Sequence, residues 1–233
     1  MIMEAAMAVQ PYLQARPFPP SGPAPTGNIR LPTGGKGDCL AYIPHHYQVS
    51  SPLPMVLLLH GAGGSASEGM ALLQDYADEP GLILVAPAST GRTWDIIFER
   101  EYGSDLALID TVLEHMFREY AIDTGHVGIG GFSDGASYAL TLGLANGDLF
   151  SHILAYSPGF IGPITARGDP QIFISHGNDD EVLPVQQCSR NIVRRLTAFE
   201  YRLVYEEFDG AHVIPRDVAD ASVRWFISGN AGR

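Results

Sequence analysis

Gly131-Phe132-Ser133-Asp134-Gly135 follows the apolar run His126-Val127-Gly128-Ile129-Gly130 and leads into a helical pattern over Ala136 to Ala145. Strand, sharp turn and helix in that order are the setting of a nucleophile elbow. Small residues two positions before and after Ser133 let the strand and helix backbones meet where a Cβ would crowd them. The turn leaves Ser133 exposed at the carboxyl end of its strand. A serine in this place also has an ordinary use as a helix N-cap, and G-x-S-x-G recurs by chance. The rest of the chain therefore has to decide between the two.

A serine hydroxyl becomes a good nucleophile only when a base takes its proton, and the reaction also needs an acid to orient that base and donors for an oxyanion. Candidates stand downstream in the order serine, acid, histidine. The acid lies in Ser175-His176-Gly177-Asn178-Asp179-Asp180-Glu181 and the base is His212 in Phe208-Asp209-Gly210-Ala211-His212. Each follows an expected strand. Upstream, Met55-Val56-Leu57-Leu58-Leu59 runs into the glycine-rich turn His60-Gly61-Ala62-Gly63-Gly64. The oxyanion donors expected are the N–H of Asp134, the residue after the nucleophile, and that of Ala62 in this turn. Spacing alone leaves Asp179, Asp180 and Glu181 open as the acid. His60 and His176 also follow strands, but each leads straight into a glycine turn, and both are read as structural supports.

With these motifs the chain resembles the serine-esterase branch of the α/β-hydrolase superfamily, especially its small members near the phospholipase/carboxylesterase and dienelactone-hydrolase-like groups. The resemblance reaches from about residue 55 to residue 212. It implies Asp180 as the acid, four residues after the histidine of His176-Gly177, and it implies a carboxylic ester hydrolase acting through an acyl-enzyme with no cofactor and no metal. Dienelactone hydrolases proper carry cysteine at the elbow, so Ser133 points to ordinary ester hydrolysis. Short- to medium-chain acyl esters are the expected substrates. Thioesters, polyesters of the poly-hydroxyalkanoate type and a noncatalytic ligand-binding role are the alternatives.

Expected strands at Cys39 to Ile43, Met55 to Leu59, Leu82 to Ala86, Val127 to Gly130, Ile153 to Tyr156, Gln171 to Ser175 and Arg202 to Phe208 alternate with amphipathic helical patterns at about Ala66 to Ala77, Ser104 to Tyr120, Ser133 to Ala145, Val185 to Phe199 and Arg216 to Ile227. That alternation predicts a single-domain α/β fold with a mostly parallel central sheet flanked by helices, and sites at the strands' carboxyl ends. The domain is expected over 31–233, after a proline-rich arm over 1–30 containing Pro17-Phe18-Pro19-Pro20. Only fourteen residues, Ser157 to Pro170, separate Tyr156 from Gln171, which predicts no large lid domain and an open pocket. Trp94 and Phe160 are the expected substrate-binding residues, both on loops at the strand ends.

A length of 233 residues and a hydrophobic share of 45% fit one domain. A net charge of −12 argues against a nucleic-acid backbone or an anionic membrane surface as partner. The single lysine, Lys36, lacks the surroundings of a phosphate-binding loop. His45-His46 has no third ligand at recognisable spacing. Two cysteines, Cys39 and Cys188, give no disulfide framework. Met1-Ile2-Met3-Glu4 is not the start of a secretory signal, and no run has the length of a membrane span, so a cytoplasmic protein without membrane insertion is expected. The partner expected is a small-molecule ester; the oligomeric state stays open.

Overall fold

Leu53–Leu59 is buried on both faces through its apolar run, the mark of a central parallel strand. Around it the computed structural model, which describes residues 10–228 apart from 21, 23, 36 and 100, builds one eight-stranded sheet. In chain order the strands are β1 (Gly27–Arg30), β2 (Cys39–Ile43), β3 (Leu53–Leu59), β4 (Ile83–Pro87), β5 (Ile122–Phe132), β6 (His152–Tyr156), β7 (Gln171–Gly177) and β8 (Leu203–Phe208). Their spatial order is β1-β2-β4-β3-β5-β6-β7-β8. The pairs β1/β2 and β2/β4 are antiparallel and all others parallel.

Side chains alternate between two cores. Leu57, Ile129 and Ile153 face α3 (Ser104–Glu119), α4 (Asp134–Ala145) and α5 (Ser189–Ala198). Val56, Leu58 and Leu154 face α1 (Ala66–Ala71) and α6 (Arg216–Ser228). A short helix, α2 (Asp95–Phe98), precedes α3. This is the expected α/β sheet with helices on both faces. The segment from Ser157 to Pro170 contains neither helix nor named strand, so it forms no lid domain.

Two features depart from expectation. The first strand, Gly27–Arg30, falls inside the stretch expected as an arm and makes its last residues an edge of the sheet. Earlier residues lie against the domain as well: Leu13 is buried, its N–H donates to Asn146 Oδ1 at 2.8 Å, and the N–H groups of Gln14 and Ala15 share Asp110 Oδ1. The expected helix over Ala66 to Ala77 ends at Ala71 and passes into a single 3₁₀ turn, Gln74–Tyr76. Lys36 lies outside the described residues. No helix among the described residues is long and apolar enough to cross a membrane.

Candidate active site

The register puts the carboxyl ends of five adjacent strands side by side. Leu59 pairs with Gly131, Phe132 with Tyr156, Tyr156 with Ser175, and Gly177 with Phe208. The turns that leave these ends carry His60 to Gly64, Ser133, Ser157, Asn178 to Asp180, and Asp209 to His212.

Ser133 is the hinge between β5 and α4, with φ 58° and ψ −119°. An L-residue enters this region only at a cost of about 1–3 kcal/mol. The surroundings enforce it. The Ser133 N–H donates to Tyr156 O at 2.9 Å, and the Ser133 carbonyl accepts from the Ser137 N–H at 3.0 Å and from Ser137 Oγ at 3.2 Å. A Cβ on Gly131 would lie 2.6 Å from the Gly135 backbone and 2.7 Å from Leu59 O, and one on Gly135 would strike the carbonyl oxygens of Leu59 and His60. Both glycines of the motif are therefore required by the close approach of β3 and α4. Ser133 serves as no side-chain N-cap, and its hydroxyl has no hydrogen-bond partner among the described residues.

His212 reaches the elbow from the far edge. A Cβ on Gly177 would collide with the carbonyls of Gly210 and Ala211, so glycine there lets the loop after β8 lie across β7. The Asn178 N–H donates to Phe208 O at 2.8 Å and the Asp179 N–H to Gly210 O at 3.0 Å. The His212 ring then packs against Phe132, the neighbour of Ser133, at 4.6 Å between centroids. Its Nδ1 lies 2.6 Å from Asp180 Oδ2. Of the three consecutive acids, Asp180 is the one turned inward; Asp179 and Glu181 are exposed.

Asp180 is 4% exposed and its oxygens are fully engaged. Oδ1 accepts from the N–H groups of Val182 at 2.9 Å and Leu183 at 2.8 Å; Oδ2 faces His212 and, at 3.1 Å, His176 Nε2. Burial pushes its pKa up, but the Leu183 N–H, the His212 ring and the Val182 N–H outweigh burial and leave it below the ordinary aspartate value. His176, fully buried, has its pKa lowered mainly by burial. The network assigns its tautomer: Nε2–H donates to Leu183 O at 2.7 Å, and Nδ1 accepts from the Ser189 hydroxyl at 2.6 Å. The support role expected of His176 thus has a specific form, a second imidazole against the Asp180 carboxylate.

The turn after β3 is braced in a similar way. The Ser89 N–H donates to His60 Nε2 at 2.9 Å, His60 Nδ1 lies 2.7 Å from Gly61 O, and the Gly63 N–H donates to Arg92 O. Neither the Ala62 N–H nor the Asp134 N–H has an acceptor among the described residues. The Asp134 carboxylate accepts from Thr93 Oγ1 at 2.7 Å, which ties the loop after β4 to the first turn of α4.

Trp94 is a correction. Expected on the pocket wall, it is 0% exposed and offers a ligand no surface. Its Nε1–H donates to His60 O at 2.9 Å, and its ring lies 4.8 Å from His60 and 5.3 Å from Tyr138. The cause is a buried polar cluster that the sequence did not announce. Asp95 accepts from the Tyr138 hydroxyl and the Gly103 N–H, while Asp105 accepts from the N–H groups of Thr90 and Asp95. Together these bonds draw the loop inward under the β3 turn. Phe160 is 37% exposed on the loop after β6, over a cavity of about 420 Å³ that it shares with Ile161, Cys188 and Ile192. That loop is fixed to the elbow by the Gly159 N–H, which donates to Ser137 Oγ at 2.9 Å.

Residues 97–224 match the model of the phospholipase/carboxylesterase family, a stretch covering more than half of the chain. The chain belongs to this family. Among relatives, a bifunctional acetylxylan esterase/xylanase of Neocallimastix patriciarum is 30% identical over 162 residues, which are 66% of this chain and 23% of the relative. A probable feruloyl esterase C of Aspergillus terreus is 28% identical over 151 residues, 61% of this chain and 54% of that protein. The chain thus spans about half of the feruloyl esterase and under a quarter of the bifunctional enzyme. Among solved structures, esterase PE8 superposes with a TM-score of 0.63 at 25% identity, over 76% of this chain and 93% of its own. The central sheet described above thus has the α/β-hydrolase fold of the phospholipase/carboxylesterase family.

Proposed function

We propose that the chain is a serine carboxylic ester hydrolase in which Ser133 is the nucleophile, His212 the general base and acid, and Asp180 the residue that orients His212. The observation that carries this reading is the 2.6 Å contact between His212 Nδ1 and Asp180 Oδ2, made where the His212 ring packs on the residue preceding the strained Ser133. With Nδ1 engaged by Asp180, Nε2 is the nitrogen free to take the Ser133 proton. Ser133 Oγ attacks the ester carbonyl, and the carbonyl oxygen becomes an oxyanion. The N–H groups of Ala62 and Asp134 stabilise it, both being unspent on the described residues. The tetrahedral intermediate collapses as His212 gives its proton to the departing alcohol oxygen. Water, deprotonated by His212, then attacks the acyl-enzyme and releases the carboxylic acid and Ser133. The loop at Phe160, bonded to the first turn of α4, supplies the apolar wall for the acyl group.

Relatives named as feruloyl and acetylxylan esterases support aryl-acyl and short acyl esters as substrates. Hydrolysis of one alcohol's acetyl, butyryl, octanoyl and feruloyl esters, with Ser133→Ala alongside, tests the reading. The expected result is turnover by the wild type, loss of at least about 10³-fold in Ser133→Ala with the fold retained, and covalent capture of a fluorophosphonate at Ser133. An enzyme that hydrolyses none of these and leaves the fluorophosphonate unreacted overturns it.

A further inference from the structure

We propose that Thr93 is a positioning residue for ester hydrolysis: its hydroxyl, bonded to the Asp134 carboxylate, closes a bracket of residues 90–95 that holds the two oxyanion donors at a fixed separation. The proposal rests on the ester-hydrolase reading and adds to it what sets the Ala62 and Asp134 N–H groups relative to each other.

An oxyanion hole is effective when its donors are in place before the charge develops, so that nothing has to reorganise during the reaction. Here the two donors lie on segments remote in the chain, Ala62 in the turn after β3 and Asp134 at the start of α4. The segments touch. A Cβ on Gly61 would stand 3.5 Å from Ser133 Cβ, and one on Gly135 would strike His60 O. Yet among the described residues no hydrogen bond runs directly from residues 60–64 to residues 133–135. Contact alone resists approach; it does not fix a lateral position, which takes directed bonds.

The bracket supplies them to both segments. The Trp94 Nε1–H donates to His60 O at 2.9 Å and the Gly63 N–H to Arg92 O at 2.8 Å, one bond before Ala62 and one after it. Between Arg92 and Trp94, the buried Thr93 donates its Oγ1–H to Asp134 Oδ2 at 2.7 Å. Three consecutive residues thus hold both flanks of one donor and the side chain of the other. The bracket is anchored in turn. Asp105, fully buried in the first turn of α3, accepts from the Thr90 N–H at 2.6 Å and the Asp95 N–H at 2.7 Å, so a single carboxylate ties its two ends. The Tyr138 hydroxyl, one helical turn beyond Asp134, donates to Asp95 Oδ1 at 2.8 Å and brings the same face of α4 onto the bracket. Tyr138 steadies the helix, whereas Thr93 reaches the residue whose N–H meets the oxyanion.

The test breaks this bond from each side. Thr93→Val keeps the side chain's shape without its hydroxyl, Thr93→Ser restores the hydroxyl, and Asp134→Ala removes the acceptor while keeping the N–H; the Thr93→Val, Asp134→Ala double variant completes a cycle. kcat and KM are measured on p-nitrophenyl butyrate, with sites counted by completed fluorophosphonate labelling so that only folded enzyme enters the rates. Outright loss of an oxyanion donor costs about 10²–10³-fold in kcat, and a donor left to drift is expected to cost about tenfold. Thr93→Val and Asp134→Ala should each show that loss with KM unchanged, since the contact forms in the transition state. The pH profile of kcat/KM should stay that of wild type because His212 keeps its partner. Thr93→Ser should recover most of the rate, and the double variant should be within about twofold of either single one. Wild-type kcat in Thr93→Val or Asp134→Ala, a loss carried by KM, no rescue by serine, or losses that multiply in the double variant overturn the bracket and leave the hydrolase reading standing. A wild type without turnover, its Ser133 inert to the fluorophosphonate, overturns both.

Discussion

Replacing Ser133 by glycine and by alanine separates the strain of the elbow from its chemistry. Alanine removes only Oγ, which has no hydrogen-bond partner among the described residues, and keeps the Cβ that makes φ 58°, ψ −119° unfavourable. Ser133→Ala should therefore match wild type in stability. Glycine relieves strain of about 1–3 kcal/mol and gives back about 0.5–1 kcal/mol through its freer unfolded chain. The balance is a Ser133→Gly protein more stable than Ser133→Ala by about 1 kcal/mol, or roughly 2–4 °C in Tm for a domain of this size. Both variants lose hydrolysis. Urea melts read by far-UV circular dichroism and a thermal scan supply the comparison. If Ser133→Gly is less stable than Ser133→Ala, the turn is not holding an unfavourable conformation and the argument for a strained elbow fails.

Gly135→Ala drives a methyl group into the Leu59 and His60 carbonyls, both backbone and unable to swing aside; it should cost about 3 kcal/mol or more in a urea melt and lower kcat by displacing the turn that carries Ala62. Trp94→Phe removes the donor to His60 O and leaves that carbonyl unpaired in the interior, so stability should fall by about 1–3 kcal/mol with no change in KM, since Trp94 has no surface to offer substrate. His152, buried between Trp225 and Phe226, has its pKa lowered to about 4 by burial, then by His126 and Arg202. The unfolded chain therefore takes up the proton first: stability is full above about pH 6.5, falls as the pH drops from there, and levels off below about pH 4, a loss of about 3 kcal/mol that should shrink in His152→Gln when melts are run across that range.

The strands that carry the site were legible because they are short, nearly uninterrupted apolar runs, and a strand buried on both faces needs such a run. The elbow was legible for a related reason, since glycine at 131 and 135 answers a backbone approach that no other residue tolerates. β1 was not. Its four residues alternate in burial at the sheet edge beside a proline-rich stretch, and pairing with β2 rather than hydrophobicity makes it a strand. Choosing Asp180 over its two acidic neighbours needed the resemblance, because which carboxylate turns inward depends on the loop laid across Gly177. Trp94 misled because chain position places it at the strand ends, while its depth is set by the hydrogen-bonded acids Asp95 and Asp105. Their burial is sustained by backbone N–H groups 8 to 15 residues away and by the Tyr138 hydroxyl 43 residues on, and burial in turn raises the Asp105 pKa.

The same reasoning explains why two imidazoles meet one carboxylate. In the proposed reaction His212 becomes positively charged once in each half, and Asp180 stabilises that charge only if it is an anion whose charge is not already neutralised. A buried carboxylate stays ionised when donors fill its oxygens, and here the Val182 and Leu183 N–H groups fill Oδ1. His176 stands against Oδ2 alongside His212. Were His176 charged, it would cancel the field His212 depends on. Burial lowers its pKa, and its Nδ1 is kept an acceptor by the Ser189 hydroxyl at the start of α5. It thus stands against Asp180 without adding a charge, its one N–H directed at Leu183 O. The carboxylate is held in place by neutral groups on three sides, and the fourth is left to the one imidazole whose charge changes.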